Sequence, residues 1–177
     1  MELKGSRTEK NLQEAFSGES QATNKYAYFA SRAKKDGYEQ IAAFFTENSM
    51  NEKEHAKIWA KKLGLIGDTE QNLEAGVAGE KYETESMYPG FAAVAREEGF
   101  SDIAALFDMV GAIEKHHQER YAKLLENVRE DKVFKKEEET VWICRNCGHE
   151  YVGKNAPDKC PTCDHPQSYF MVKKVNY

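Results

Sequence analysis

The chain has 177 residues, of which 31% are charged and 40% hydrophobic, and its formal net charge at pH 7 is −5. This negative charge argues against a nucleic-acid-binding protein, and the lack of any run of about 18 apolar residues argues against a membrane span. The first ten residues are too polar for a targeting segment. We therefore expect a cytoplasmic protein, and its length suits one domain of about 130 residues with a small module of about 40 residues.

The first half of the chain predicts two long helices, over residues 6–35 and 38–62, separated by a glycine turn. The second helix contains Glu52 and His55 in a Glu-x-x-His pattern. Residues three apart lie on one helix face, so this carboxylate and imidazole point in the same direction. In the first helix, Glu19 opens a tyrosine-rich stretch. A Glu on one helix and a Glu-x-x-His pair on the next are typical of di-iron carboxylate bundles.

The second half repeats this arrangement. Residues 99–125 align without a gap on residues 37–63, and the repeat contains Glu114 and His117 in the same Glu-x-x-His pattern. Glu80 occupies the place that Glu19 has in the first half. Two copies of one helix pair, each with the same three ligand types, predict a pseudo-symmetric dinuclear metal site in a ferritin-like four-helix bundle.

Four helices in the ferritin-like order require one long connection between the halves, which we assign to residues 65–76. The third and fourth helices are then predicted over residues 77–98 and 101–130. The charged run 129–139 is predicted to be an extended linker. From Thr140 onward, short strands and turns replace the helical pattern.

The two copies differ by one residue. The later parts of the copies are 62 positions apart but Glu19 and Glu80 are 61 apart, so one extra residue lies between Glu80 and Phe91. Extra residues in helices often form π-helical turns at functional sites. The same stretch contains Pro89, which kinks a helix, and Glu83, a carboxylate with no counterpart after Glu19. Glu83 is thus a surplus ligand, which suggests that one metal ion changes ligands.

Any one of these carboxylates taken alone is better explained as part of a solvated helix face, because the chain is rich in helical Glu and Lys. The duplication favours the metal interpretation. Glu52 and Glu114 both fall within the apolar spacing of their helices, and an inward-pointing carboxylate is costly unless it is paired or binds a metal ion.

The last 40 residues contain two Cys-x-x-Cys pairs separated by twelve residues. Their spacing predicts one tetrahedral four-thiolate metal site, which holds zinc or iron. A disulfide framework is a poor alternative, since the rest of the chain has no cysteine. Aromatic residues flank the pairs and provide an apolar shell, which suits an iron redox centre as well as a structural zinc ribbon. The cysteines are Cys144, Cys147, Cys160 and Cys163, and the aromatic residues are Trp142, Tyr151, Tyr169 and Phe170.

The whole chain resembles rubrerythrins, in which a ferritin-like di-iron bundle is fused to a C-terminal rubredoxin-like domain. The resemblance is carried by the sequence words GES around Glu19, EKEH at 52–55, AGEKYE at 78–83, MYP at 87–89, EKHH at 114–117, WICRNCG at 142–148 and CPTCDHPQSYF at 160–170. One departure from free-standing rubredoxins is Asp164, where those usually have glycine. The resemblance implies a mainly α fold with a small β/turn metal domain, divided into residues 1–138 and 139–177.

The resemblance also implies roles for individual residues. Glu52 and Glu114 would bridge two iron ions. Glu19 with either Glu83 or His55 would complete one iron site, and Glu80 with His117 would complete the other. Glu83 would be the ligand that exchanges with oxidation state. Tyr26 and Tyr88 are candidates for hydrogen-bond donors next to the ligands, although both would equally serve as bundle core.

The function that this resemblance implies is the reduction of hydrogen peroxide to water in defence against oxidative stress. Electrons would come from an external redox protein or reductase, indirectly from NAD(P)H, through the four-cysteine iron. A head-to-tail homodimer is expected, because it would bring the cysteine module of one chain to the bundle of the other. Two alternatives stay open: a ferroxidase or iron-storage protein, and a di-metal scaffold with a structural zinc ribbon.

Overall fold

A computed structural model describes residues 2–174. Its first compact unit ends at Gly67 and contains one helix pair, formed by α1 (Arg7–Lys35) and α2 (Glu39–Lys62). The hydroxyl of Ser6 accepts a hydrogen bond from the backbone N–H of Glu9 and caps α1. Both predicted helices are confirmed within one residue.

The second compact unit begins at Asp68 and contains the duplicate helix pair. One side of this pair consists of α3 (Thr69–Tyr82), a π-helical segment (Glu83–Met87) and α4 (Tyr88–Glu97), which follow one another without a break. The other side is α5 (Ser101–Arg129). The expectation that the extra residue forms a π-helical turn is therefore confirmed.

The prediction of a long connection over residues 65–76 is wrong, because α3 begins at Thr69. The sequence contains a start signal that explains this helix. The Asp68 carboxylate accepts from the backbone N–H of Gln71, and the Gln71 amide oxygen accepts from the backbone N–H of Asp68. This reciprocal capping box satisfies two backbone donors and starts the helix earlier than the apolar pattern alone suggests.

Within each helix pair, the two helices pack against each other mainly through small side chains. The buried hydrophobic residues of the five α-helices are alanines, apart from Leu125. Large apolar side chains stay exposed on each pair. In the first pair these include Phe29, Ile41, Phe44 and Ile58, and in the second Phe91, Val94, Ile103, Leu106 and Ile113. Such apolar faces are larger than an isolated surface helix requires and mark a packing surface.

The C-terminal part is a three-stranded antiparallel sheet in the order β2-β1-β3, with β1 (Lys135–Cys144), β2 (Glu150–Asn155) and β3 (Phe170–Val172). A 3₁₀ turn at Gln167–Tyr169 precedes β3. The run 129–139 is thus not a linker throughout, because the strand already begins at Lys135. Lys135 pairs with Asn155, and the register with β2 shifts before it resumes at Thr140 opposite Gly153.

The core of this sheet contains Trp142, Cys144, Ala156, Cys160 and Phe170. The indole N–H of Trp142 donates to the carbonyl of Gly153 at 2.9 Å. The expected aromatic shell is only half buried, since Tyr151 is 42% exposed and Tyr169 is 41% exposed. The predicted fold class, mainly α with a small C-terminal β/turn metal domain, is confirmed. No helix formed by residues 2–174 has the length and apolar character needed to cross a membrane.

Candidate metal centres

The first helix pair brings together Glu19 from α1 and Glu52 with His55 from α2. Ligand atoms of these three residues lie within 4.8 Å of one another. The Nδ1 atom of His55 lies 2.7 Å from a carboxylate oxygen of Glu52 and 4.0 Å from one of Glu19. The two α2 residues meet because positions three apart share a helix face. Two carboxylates and one imidazole thus point at a common centre.

The second helix pair repeats this cluster with Glu80 from α3 and Glu114 with His117 from α5. The corresponding atoms again lie within 4.8 Å. The Nδ1 atom of His117 lies 2.5 Å from Glu114 and 3.8 Å from Glu80. The side chain of Glu114 is only 15% exposed. The sequence repeat is therefore also a repeat of side-chain geometry.

The electrostatics of both clusters favour a bound cation. Burial raises the pKa of Glu19 above its ordinary value of 4.5, and the neighbouring Glu52 raises it further. Burial also raises the pKa of Glu80, with Glu114 as the next cause. Clustered carboxylates repel one another unless a proton or a metal ion neutralises them. A donor set of carboxylates and imidazole fits iron.

Glu83 is the first residue of the π-helical segment. Its carboxylate lies outside the two three-ligand clusters but close enough to act electrostatically on its neighbours. It raises the pKa of Glu80, although less than burial does. The role of Glu83 as an exchanging ligand stays a prediction.

The two candidate tyrosines have different surroundings. The ring of Tyr26 packs against Phe29 and Phe45, with centroid distances of 6.2 and 6.1 Å. Tyr88 packs against Phe107, and burial followed by the charges of Glu83, Glu114 and Glu80 raises its pKa. Tyr88 therefore lies near the metal-binding carboxylates. Tyr26 shows the packing expected of core, and its predicted donor role stays a prediction.

The four cysteine sulfurs form the third cluster. All four lie within 4.8 Å of one another, and the Cys144–Cys163 and Cys147–Cys160 sulfur pairs are 3.7 Å apart. Cys144 and Cys160 are buried, Cys163 is half-buried and Cys147 is exposed. The free thiols converge as a tetrahedral metal site requires.

Both cysteine turns have the same backbone geometry. The N–H of Cys144 donates to the carbonyl of His149, and the N–H of Cys160 donates to that of His165. The equivalent turn residues are Gly148, with φ of 78°, and Asp164, with φ of 61°. Asp is among the few residues that adopt this left-handed conformation readily. The departure at Asp164 thus keeps the turn, and Lys159 pairs with the Asp164 carboxylate at 2.8 Å.

Neighbouring thiols make Cys147 and Cys163 unequal, although both accept a backbone hydrogen bond. The N–H of His165 lowers the pKa of Cys163 to about 6. The N–H of His149 has the same effect on Cys147, but the neighbouring thiols outweigh it and raise that pKa to about 12. Sequence reasoning missed these two donors. The sequence positions of the two donors could have predicted them, because each donor lies two residues after the second cysteine of its pair.

Comparisons with known proteins relate both parts of the chain to one family. The rubrerythrin family model matches residues 10–125, and the model of the rubrerythrin rubredoxin-like domain matches residues 142–171. Rubrerythrin of Porphyromonas gingivalis is 48% identical over 188 residues, covering 99% of this chain and 94% of the relative. Rubrerythrin of Nitratidesulfovibrio vulgaris is 45% identical over 188 residues, covering 99% and 98%. A structure of partially reduced nigerythrin is 29% identical, covers 97% of this chain and 91% of its own, and has a TM-score of 0.37.

The residue clusters and the two family models lead to one conclusion: the chain belongs to the rubrerythrin family, with a di-iron site in its helical part and a rubredoxin-like iron site in its C-terminal part.

Proposed function

We propose that this protein reduces hydrogen peroxide to water as part of the defence against oxidative stress. The observation that carries the proposal is the pair of matching Glu, Glu, His clusters on a chain that also has a four-thiol site. Two metal ions that share carboxylates suit a two-atom oxidant, and the thiol site suits delivery of single electrons. A storage protein has no use for the second feature.

The two helix pairs are proposed to pack into one four-helix bundle. Each pair leaves large apolar side chains exposed, such as Phe44 on α2 and Leu106 on α5. Among the described residues, each pair brings three ligand residues together, which is half of the six-ligand set of a dinuclear carboxylate site.

In the joined site, Glu52 and Glu114 are proposed to bridge the metal ions. Glu19 and His55 would bind one side, and Glu80 and His117 the other. The geometry of each cluster supports this division, because each imidazole already lies against its own two carboxylates. Glu83 is proposed to take the place of His55 beside Glu19 when the oxidation state changes, since the π-helical segment gives Glu83 a place with no counterpart in the first pair.

Reduction of one hydrogen peroxide molecule breaks its O–O bond, takes up two electrons and two protons, and releases two water molecules. When bound, the iron pair supplies the two electrons and acts as a Lewis acid. The protein residues hold and move the protons. Tyr88 is suited to donate a hydrogen bond near the reacting oxygen atoms, because its phenol lies close to the carboxylates of Glu83, Glu114 and Glu80. Tyr26 is proposed to do the same on the opposite side.

Electrons are proposed to enter singly through the cysteine module, from an external redox protein or reductase and indirectly from NAD(P)H. We assign the bundle to residues 1–138 and the module to residues 139–177. From Glu114 to the end of α5 at Arg129 the helix rises about 22 Å, which is long for electron transfer within one chain. A head-to-tail homodimer would place the module of one chain against the bundle of the other.

The test is a comparison of oxidants on the reduced, iron-loaded protein. We expect one peroxide to oxidise two iron ions, faster than an equal concentration of dioxygen does. A Cys144→Ser variant should retain this single reaction when reduced chemically, yet lose turnover with an external donor. Faster oxidation by dioxygen than by peroxide, with accumulation of an iron core, would favour the ferroxidase alternative. A colourless, zinc-loaded cysteine site would mean that the cysteine module cannot carry electrons.

A further inference from the structure

One close approach between helices of the second pair involves a glycine that the first pair lacks. A Cβ atom added to Gly111 on α5 would lie 3.1 Å from the Cβ of Tyr88 and 3.7 Å from its Cγ. Gly111 is buried. The nearest atom is a Cβ fixed to the backbone, so rotation of the tyrosine side chain cannot relieve the contact. A side chain at position 111 would therefore require α5 and the start of α4 to move apart by a few tenths of an ångström.

The equivalent position in the first copy is Ser49, 62 residues earlier. There the side chain has room, and its hydroxyl donates to the carbonyl of Thr23 on α1 at 2.7 Å. The ring packing is nonetheless the same in both copies, since Tyr26–Phe45 and Tyr88–Phe107 centroids are each 6.1 Å apart. The copies differ in the backbone immediately before Tyr88, where the π-helical segment lies.

That backbone difference coincides with the extra residue of the second copy. The π-helical segment runs from Glu83 to Met87 and ends immediately before Tyr88. The backbone N–H of Tyr88 donates to the carbonyl of Glu83, the wide hydrogen bond that defines a π-turn. The position of Tyr88 and the position of Glu83 are thus joined by one backbone hydrogen bond.

We infer that Gly111 is a positioning residue for the di-iron site: by admitting the Cβ of Tyr88, it keeps the π-helical segment, and with it Glu83, in place. This inference rests on the proposed function for the role of Glu83. Gly111 itself touches neither metal ion nor substrate. The extra residue widens the helix at the π-helical segment, and Gly111 leaves room for the Cβ of Tyr88 that follows it. We call these two features the matched pair.

The first experiment compares Gly111→Ala with Gly90→Ala in the full-length protein. Gly90 is a suitable control, because it is also a helical glycine and a Cβ there would meet nothing within 4 Å. In metal-free protein we expect Gly111→Ala to speed amide hydrogen exchange at residues 83–88, whereas Gly90→Ala should not. In iron-loaded protein we expect two iron ions per chain to be retained and peroxide turnover to fall roughly tenfold, since small misplacements of reacting groups are costly.

The second experiment tests the matched pair directly. Deleting Glu85, an exposed residue of the π-helical segment, makes the second copy equal in length to the first. In the natural background Gly111→Ser should lower the Tm by roughly 3 °C or more. In the Glu85-deleted background the same substitution should cost nothing, because Ser49 shows that the regular helix pair accommodates serine.

Equal penalties of Gly111→Ser in the two backgrounds, or equal exchange at residues 83–88 in the alanine variants, would overturn the inference. If the Gly111→Ala protein does not fold, the inference requires that the same substitution folds in the Glu85-deleted protein. Failure of that double variant to fold would overturn the inference too. Hydrogen exchange and Tm do not depend on peroxide. A protein with this coupling but without peroxidase activity would therefore contradict the proposed function and leave the positioning role intact.

Discussion

At the scale of single residues, Glu83 is the carboxylate that we propose changes its role with oxidation state. Six other carboxylate and imidazole ligands lie in the two clusters, so we expect Glu83→Ala to retain two iron ions. Peroxide turnover should fall about tenfold or more, in line with loss of one positioned acid–base group, and the diferric absorption spectrum should change. Glu85→Ala is the matched control, because Glu85 is exposed and lies in the same π-helical segment. Equal kinetics of the two variants would make Glu83 a solvated carboxylate.

The raised pKa values of Glu19 and Glu80 predict a pH dependence of stability in the metal-free protein. Above the ordinary pKa of 4.5 the folded protein holds protons that the unfolded chain has released. Stability from these groups is therefore fully present below pH 4.5 and is lost as pH rises through their folded-state pKa values. Metal binding should remove this loss by replacing the protons.

The measurement for this prediction is the Tm of metal-free protein between pH 4 and pH 8, compared with that of a Glu19→Gln, Glu80→Gln variant. Because other groups titrate in the same range, the difference between the two proteins is the informative quantity. We expect the variant to gain stability relative to the natural protein as the pH rises. A constant difference would mean that the carboxylates do not hold their protons longer in the folded state.

At the scale of elements, the capping box of α3 decides where the second helix pair begins. Asp68→Ala removes the carboxylate that accepts from Gln71 and should cost about 1 kcal/mol of unfolding free energy. Asp102→Ala is the control, because Asp102 lies in the first turn of α5, where the N-cap makes no side-chain hydrogen bond. Urea unfolding at constant pH compares the two. If both variants lose the same stability, the capping box contributes no more than a charge near the helix end.

At the scale of the whole molecule, the proposed dimer predicts complementation between two inactive chains. One chain carries Cys144→Ser and Cys160→Ser, and the other carries Glu52→Ala and Glu114→Ala. In the mixed dimer the intact cysteine module and the intact helical site come from different chains. We expect donor-linked peroxidase activity to return on mixing and refolding, because the two centres would meet across the interface. A mixed dimer that forms, as shown by tagged pull-down, and stays inactive would place electron transfer within one chain.

The sequence by itself determined the features that depend on local spacing. The sequence predicted two Glu-x-x-His pairs, Glu52 with His55 and Glu114 with His117, because helical residues three apart share a face. It also predicted the four-cysteine site, because two Cys-x-x-Cys pairs bind one metal ion. The duplication located Glu19 and Glu80, and one surplus residue located the π-helical segment. Family resemblance supplied the peroxidase hypothesis and the role of Glu83.

Tertiary structure decided what depends on distance between elements. β1 begins inside a charged run, where Lys135 pairs with Asn155 of β2. The raised pKa values of Glu19 and Glu80 arise from burial among side chains of other helices. The need for Gly111 likewise arises only where α5 meets Tyr88. Local spacing encodes which residues share a face, whereas the separation between faces depends on how the helices pack.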